Sequence, residues 1–321
     1  MAEVSFELFN NTFVQQMVGP QDANLRLLEK ILGVEISSFG NKMTIKGKKV
    51  SVEQAKTAID VLYNKVSRGI EVGEQEVNAA VRLSGDNVTT QEAVDLSNLV
   101  LKTKKRHIYP RSATQAEYIQ TMMNNELVFG LGPAGTGKTY LAVALAVSMM
   151  LEGVIDKIIL SRPAVEAGEN LGFLPGDLKD KVDPYLRPLY DALYEMLPAE
   201  QVDKKIALGE IEIAPLAFMR GRTLSNAFII LDEAQNTTPM QMKMFLTRLG
   251  ENSRMVVNGD LSQVDLPHGV ISGLRDALDV LKGTSNIGSV RFSASDVVRH
   301  GLVAKIVKAY EDKSKKEYGD E

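Results

Sequence analysis

Eight consecutive residues, Gly132-Pro133-Ala134-Gly135-Thr136-Gly137-Lys138-Thr139, match G-x-x-x-x-G-K-[ST] at each required position. Glycines at that spacing let backbone N–H groups turn inward around phosphate oxygens. Lys138 can reach a β- or γ-phosphate as a point charge, and the Thr139 hydroxyl can ligate Mg²⁺. An acidic partner is needed for the metal, and Asp232-Glu233 supplies it. Asp232 can hold Mg²⁺ through water, while Glu233 can orient or deprotonate an attacking water. Asn258, and Gln263 within Gly259-Asp260-Leu261-Ser262-Gln263, are polar sensor candidates that would register loss of a phosphate by losing a hydrogen bond.

These groups work only if elements bring them together. Leu127–Leu131 reads as a short buried strand, and Tyr140–Leu151, rich in Ala, Leu and Met, as a buried helix. Strand, loop and helix is the setting the phosphate loop requires, with the positive helix end aimed at the phosphates. Ala227–Leu231 reads as a central parallel strand buried on both faces, ending in Asp232 beside the end of the loop strand. Arg254–Asn258 is a third strand. The expected fold class is α/β, a parallel sheet flanked by helices.

Composition sets the outer bounds. The chain has 321 residues, 44% hydrophobic and 24% charged, as in a soluble globular protein. Cysteine is absent, which excludes disulfides, zinc-thiolate sites and cysteine nucleophiles. His107, His268 and His300 are scattered, which argues against a histidine metal site. Met1–Asn10 carries Glu3 and Glu7 and no basic stretch, unlike a signal peptide. The longest apolar run, Leu141–Leu151, falls short of the roughly 20 residues that span a bilayer. The expectation is a cytoplasmic protein with no membrane partner. Acidic and basic residues balance over 1–105, and the remainder carries the net charge of −4, so any nucleic-acid affinity must be local. Basic residues cluster at Lys42, Lys46, Lys48 and Lys49, and again at Lys102, Lys104, Lys105, Arg106 and Arg111.

The chain resembles the PhoH-like ATPases. The shared stretches are GPAGTGKT, SRPAVEAGENLGFLPGDL (161–178), PLAFMRGRTL (215–224), AFIILDEAQNTT (227–238), NGDLSQVDLP (258–267) and RHGLVAKIV (299–307). The family's usual Thr is Asn258 here, and its usual Pro is Gly301. The resemblance implies a RecA-like P-loop NTPase core, similar to the first RecA-like domain of superfamily 1 helicases. It assigns Gln115, 17 residues before Gly132, to adenine recognition. It also implies a ring oligomer, a hexamer, in which a neighbouring subunit completes the site with an arginine. Arg162, Arg220, Arg222, Arg248 and Arg299 are the candidates, with Arg222 and Arg299 preferred. An endoribonuclease partner in ribosomal RNA maturation is implied as well.

Residues 1–100 fit the small α+β KH-like module that longer members carry. An apolar helix at Leu25–Leu32, a hairpin from Val34–Ser37 and Lys42–Lys46, and an amphipathic helix at Val52–Val66 follow a first strand and predict a β-α-β-β-α order. A KH module clamps backbone nucleotides with a GXXG loop. Here the stretch is Gly19-Pro20-Gln21-Asp22, and Asp22 opposes phosphate approach. Arg26, Lys42, Lys46, Lys48 and Lys49 are the candidate RNA contacts. The expected layout is thus 1–100 KH-like, 101–115 a basic linker with the adenine motif, 116–311 the NTPase domain and 312–321 a charged tail. Leu178–Leu197 has helical spacing, and Pro184 and Pro188 predict a kink or a split.

Together these residues predict an oligomeric ATP- and Mg²⁺-dependent ATPase acting in RNA metabolism, on single-stranded or ribosomal RNA. The alternative is a nucleotide-switched RNA- or protein-binding adaptor with negligible turnover. A small-molecule kinase is disfavoured, because tandem Asp232-Glu233 suits water as the acceptor.

Overall fold

The computed structural model describes residues 1–85, 88–163 and 178–297. Arg299, Gly301, the 299–307 stretch, the 312–321 tail and most of 161–178 lie outside the described residues.

The N-terminal part begins with β1 (Ala2–Glu7), α1 (Asn11–Val18), α2 (Ala23–Leu32), β2 (Glu35–Phe39), β3 (Lys42–Gly47) and α3 (Lys49–Ser67). The strands form an antiparallel sheet in the order β1-β3-β2. Two helices, not the single one expected, separate β1 from β2. Asn10 starts the first by accepting from Thr12 N and Phe13 N, and Gly19, at φ 73°, ends it. Period-2 burial turns Met43 and Ile45 inward onto Leu28, Ile59 and Leu62. Two further helices, α4 (Glu74–Leu83) and α5 (Thr90–Asn98), add Val77, Leu83 and Ala93 to the same core.

A short antiparallel ribbon, β4 (Leu101–Lys102) with β5 (His107–Ile108), leads to α6 (Ala113–Asn124). Leu101 and Ile108 are buried in the core of the second half, so the stretch expected as a linker is partly built into that core. Ser112 caps α6 by accepting from Gln115 N, and the helix runs through the boundary expected at 115–116.

The second half is a six-stranded parallel sheet, β11-β6-β10-β9-β7-β8. Its strands are β6 (Leu127–Leu131), β7 (Lys157–Arg162), β8 (Ile211–Pro215), β9 (Ala227–Leu231), β10 (Arg254–Gly259) and β11 (Ile287–Arg291). The helices are α7 (Lys138–Leu151), α8 (Leu178–Met196), α9 (Ala199–Ala207), α10 (Pro239–Leu246) and α11 (Gly273–Val280). Every residue of β6 and β9 is buried, as their unbroken apolar runs require. Alternate side chains feed two layers. Val128, Phe228 and Ile230 pack toward α6, α7 and α8, whereas Phe129, Ile229 and Val257 pack toward Met242, Phe245 and Leu274 of α10 and α11. β10 lies between the phosphate-loop strand β6 and the acidic strand β9. α8 runs as one helix across Pro184 and Pro188, so the split expected as one alternative there does not occur; Pro188 sits on its exposed side. Among the described residues no helix is long and apolar enough to cross a membrane.

Candidate active site

The loop between β6 and α7 is shaped by three glycines at positive φ: Gly132 (134°), Gly135 (80°) and Gly137 (86°). A Cβ on Gly132 would stand 2.4 Å from the Phe292 carbonyl oxygen, so no other residue fits there. Gly132 N donates to Gly259 O at 3.1 Å, tying the loop to the end of β10.

Lys138 opens α7, nearly buried, with its ammonium wrapped by the loop. Nζ donates to Gly132 O at 2.6 Å, Pro133 O at 2.8 Å and the Thr136 hydroxyl at 3.4 Å. Burial pushes its pKa down; the charges of Asp232, Asp260 and Glu233 work the other way. The Thr139 hydroxyl donates to Asp232 Oδ1 at 2.6 Å, although the two are 93 residues apart and their strands are not neighbours. Burial pushes the Asp232 carboxyl above its ordinary value, and the Thr139 hydrogen bond opposes that shift.

Glu233 adopts a left-handed backbone at φ 53°, unusual for a non-glycine residue. Its carboxylate accepts from Arg162 Nη2 at 2.8 Å on one oxygen and from Gln235 Nε2 at 2.6 Å on the other. Gln235 also accepts from Asp260 N at 3.1 Å and donates to Gln263 O at 3.2 Å, linking the acidic turn to the loop after β10. Asp260 Oδ1 accepts from Ser262 N and its hydroxyl, while Oδ2 is buried and has no partner. A pocket of about 220 Å³ is bounded by Lys138, Thr139, Asp232, Glu233, Asp260 and Gln263, with Ala134, Gly135 and Gly137 along one side.

Lys138, Thr139, Asp232, Glu233 and Gln263 thus converge with the loop glycines. Other candidates do not. Asn258 is fully buried and turned away from the pocket, against Gly130, where it accepts from the Tyr118 hydroxyl at 2.6 Å. Gln115 is buried with both ends of its amide bonded to protein: Oε1 accepts from Arg111 N at 2.7 Å, and Nε2 donates to Thr136 O at 2.9 Å. In this arrangement it braces the phosphate loop. Arg222 forms a bidentate pair with Glu212, both bonds 2.6 Å, and Arg248 donates to Arg222 O and Met244 O. Arg220 is exposed. Arg162, a candidate for action across subunits, instead meets Glu233 of its own chain. Sequence reasoning passed over Gln235, Asp260 and Tyr118; for Gln235, its place two residues after Glu233 was the available signal.

The five RNA candidates are spread over α2, β3 and the start of α3. Lys42 and Lys46 project from the outer face of β3, in register with Glu7 and Glu3. Lys46 pairs with Glu3 at 3.2 Å and also stands opposite Glu35 of β2. Arg26 is exposed on α2, which packs on the inner face, and Lys48 and Lys49 are exposed at the start of α3.

The donors at the pocket fit Mg²⁺. It is a hard cation that keeps several waters and takes one or two protein oxygens plus substrate phosphates. Thr139 and Asp232 are such oxygens, already drawn together. Among the described residues no group of three or more His, Cys, Asp or Glu forms a larger metal cage.

Residues 107–311 match the family of PhoH-like proteins. A PhoH-like protein of Bacillus subtilis is 51% identical over 92% of this chain and 93% of its own length. One of Mycobacterium tuberculosis is 48% identical over 92% and 84%. Protein PhoH of Escherichia coli K12 is 41% identical over 84% and 75%. Among solved structures, the UvsW helicase from bacteriophage T4 overlaps 71% of this chain and 75% of that one at 11% identity and a TM-score of 0.36, too slight a likeness to bear on function.

Proposed function

This chain belongs to the PhoH-like protein family, and we propose that it is a Mg²⁺-dependent ATPase that hydrolyses ATP to ADP and phosphate in the service of RNA metabolism. The observation that carries the reading is the Thr139–Asp232 contact at 2.6 Å, with Glu233 beside it and Lys138 in the loop below. When bound, magnesium supplies charge neutralisation at the β- and γ-phosphate oxygens, held by Thr139 and Asp232. Lys138 exchanges its backbone carbonyl partners for phosphate oxygens, and the loop N–H groups close around them. Glu233 releases Arg162 or Gln235 to orient water in line with the γ-phosphate. Gln263, at the pocket rim, is placed to sense the γ-phosphate.

A ring oligomer completes the site in this reading, with an arginine from a neighbour; Arg222 and Arg299 remain the candidates. RNA contact falls to Arg26, Lys48 and Lys49, the basic residues not opposed by carboxylates in register. An endoribonuclease partner and a cytoplasmic location complete the proposal. The engagement of both Glu233 oxygens favours a second reading, in which the chain is a nucleotide-switched adaptor for RNA or protein and turnover is incidental. Glu233→Gln separates the two. As an ATPase, the variant binds ATP while phosphate release drops by roughly 10²–10⁴-fold. As an adaptor, it supports nucleotide-dependent RNA or partner binding as the parent does, and the parent's turnover is already negligible.

A further inference from the structure

Behind the phosphate loop lies a second cavity, of about 960 Å³, between the N-terminal helices and the sheet domain. It adjoins the phosphate pocket, since Gly135, Gly137 and Tyr140 border both. It shares none of the groups at the metal end: Thr139, Asp232, Glu233 and Gln263 line only the smaller pocket. A triphosphate with its γ end at Asp232 and Glu233 would pass Gly137 and Tyr140 to bring its nucleoside to this cavity. The volume lies within the range of small-molecule sites, which concentrate at domain interfaces.

Its lining suits a base and a sugar. Tyr109 and Tyr140 offer rings, Ile70 and Pro110 offer flat apolar surface, and Gln75 and Glu76 offer polar groups. The outer wall comes from the N-terminal half: Lys65, Ile70, Glu71, Gln75, Glu76 and Ala79. Two contacts clamp that wall to the sheet domain. The Lys65 ammonium lies 5.0 Å from the centroid of the Tyr109 ring, and Arg111 Nη2 donates to Gln75 Oε1 at 3.1 Å. Arg111 also donates its backbone N–H to Gln115, whose amide holds Thr136 of the phosphate loop. Gln115 itself lines the cavity, with its amide bonded to Arg111 N and Thr136 O.

We infer that the nucleoside end of ATP is bound between the two halves of the chain, with the α3–α4 segment of the N-terminal half as its outer wall, so that nucleotide binding clamps that half to the ATPase core. The inference rests on the phosphate-site reading above and adds a role for the N-terminal half in nucleotide affinity.

The test measures binding of ATP and of inorganic tripolyphosphate, each with Mg²⁺, to the full chain and to Ala79→Trp. Ala79 is a cavity-lining residue remote from the phosphate groups, and a tryptophan there fills the space. The expected result is an ATP affinity lower by roughly tenfold or more, with tripolyphosphate affinity unchanged. Hydrogen exchange on the parent chain supplies the second readout: residues 65–79 gain protection with ATP and not with tripolyphosphate. If Ala79→Trp fails to fold, that exchange pattern decides alone. Equal ATP affinity in the two proteins, equal weakening of both ligands, or no ATP-specific protection of 65–79 overturns the inference. If neither ligand binds the parent chain, the phosphate-site reading falls and takes this one with it.

Discussion

Two clusters of charge among the described residues are held in opposite ways. At the phosphate loop, Lys138 and Asp232 are buried, and Asp260 keeps a buried carboxylate oxygen without a partner. On the outer face of the N-terminal sheet, Lys42 and Lys46 are exposed and stand in register against Glu7 and Glu3. The first arrangement costs folding energy and the second costs almost nothing. Charges that a fold holds buried at a cost mark the place where chemistry is done, whereas charges neutralised across neighbouring strands serve the surface.

Lys138→Ala is the strongest way to break that contrast. Removing the buried cation takes away the charge aimed at the β- and γ-phosphates, and ATP turnover should fall by at least about 10²-fold. Phosphate release close to that of the parent would remove the loop from the mechanism.

Much of this site is legible in the sequence because its parts are local. The glycines, Lys138 and Thr139 lie within eight residues, and Ala227–Leu231 declares itself by an unbroken apolar run that ends in Asp232. What stays hidden depends on returns of the chain. Arg162 meets Glu233 across 71 residues, and Tyr118 meets Asn258 across 140. The resemblance assigns Gln115 to adenine recognition, and folding bonds its amide to Arg111 N and Thr136 O. The cavity behind the loop is lined from α3, α4, the stretch around β5, the phosphate loop and α8, and no local pattern announces such an assembly. In the N-terminal half, the glycine that ends α1 was legible as a loop residue, but the separate helix before it was not.

A smaller effect concerns stability. Burial raises the Asp232 carboxyl pKa in the folded chain, so the folded state holds that proton more tightly than the unfolded chain does. Stability is therefore lost as pH rises from the ordinary aspartate value of 3.8 through the raised folded value. Asp232→Asn keeps an acceptor for Thr139 and removes the penalty. It should raise Tm at neutral pH, as thermal melts of the two proteins would show. The gain should shrink as pH falls and vanish below 3.8. A Tm that is unchanged at neutral pH would mean that Asp232 bears no cost in the folded chain, and the contrast between the two clusters would lose one of its poles.

The smallest effect belongs to the outer sheet face. Lys46 and Glu3 are each about half exposed, and such a pair contributes roughly 0–1 kcal/mol. Lys42→Ala with Lys46→Ala should therefore barely move Tm. It should also leave the salt dependence of RNA binding nearly unchanged, because Glu3, Glu7 and Glu35 already oppose those lysines in register. The triple variant Arg26→Ala, Lys48→Ala, Lys49→Ala removes exposed cations that have no such carboxylates opposite them. Each one that contacts a phosphate should lower the slope of log affinity against log salt by about 0.7, the value for single strands. Titration of a single-stranded RNA at several salt concentrations compares the two variants directly. A larger loss of slope in the Lys42 and Lys46 variant would show that the paired face is the one RNA uses, with the carboxylates displaced on contact.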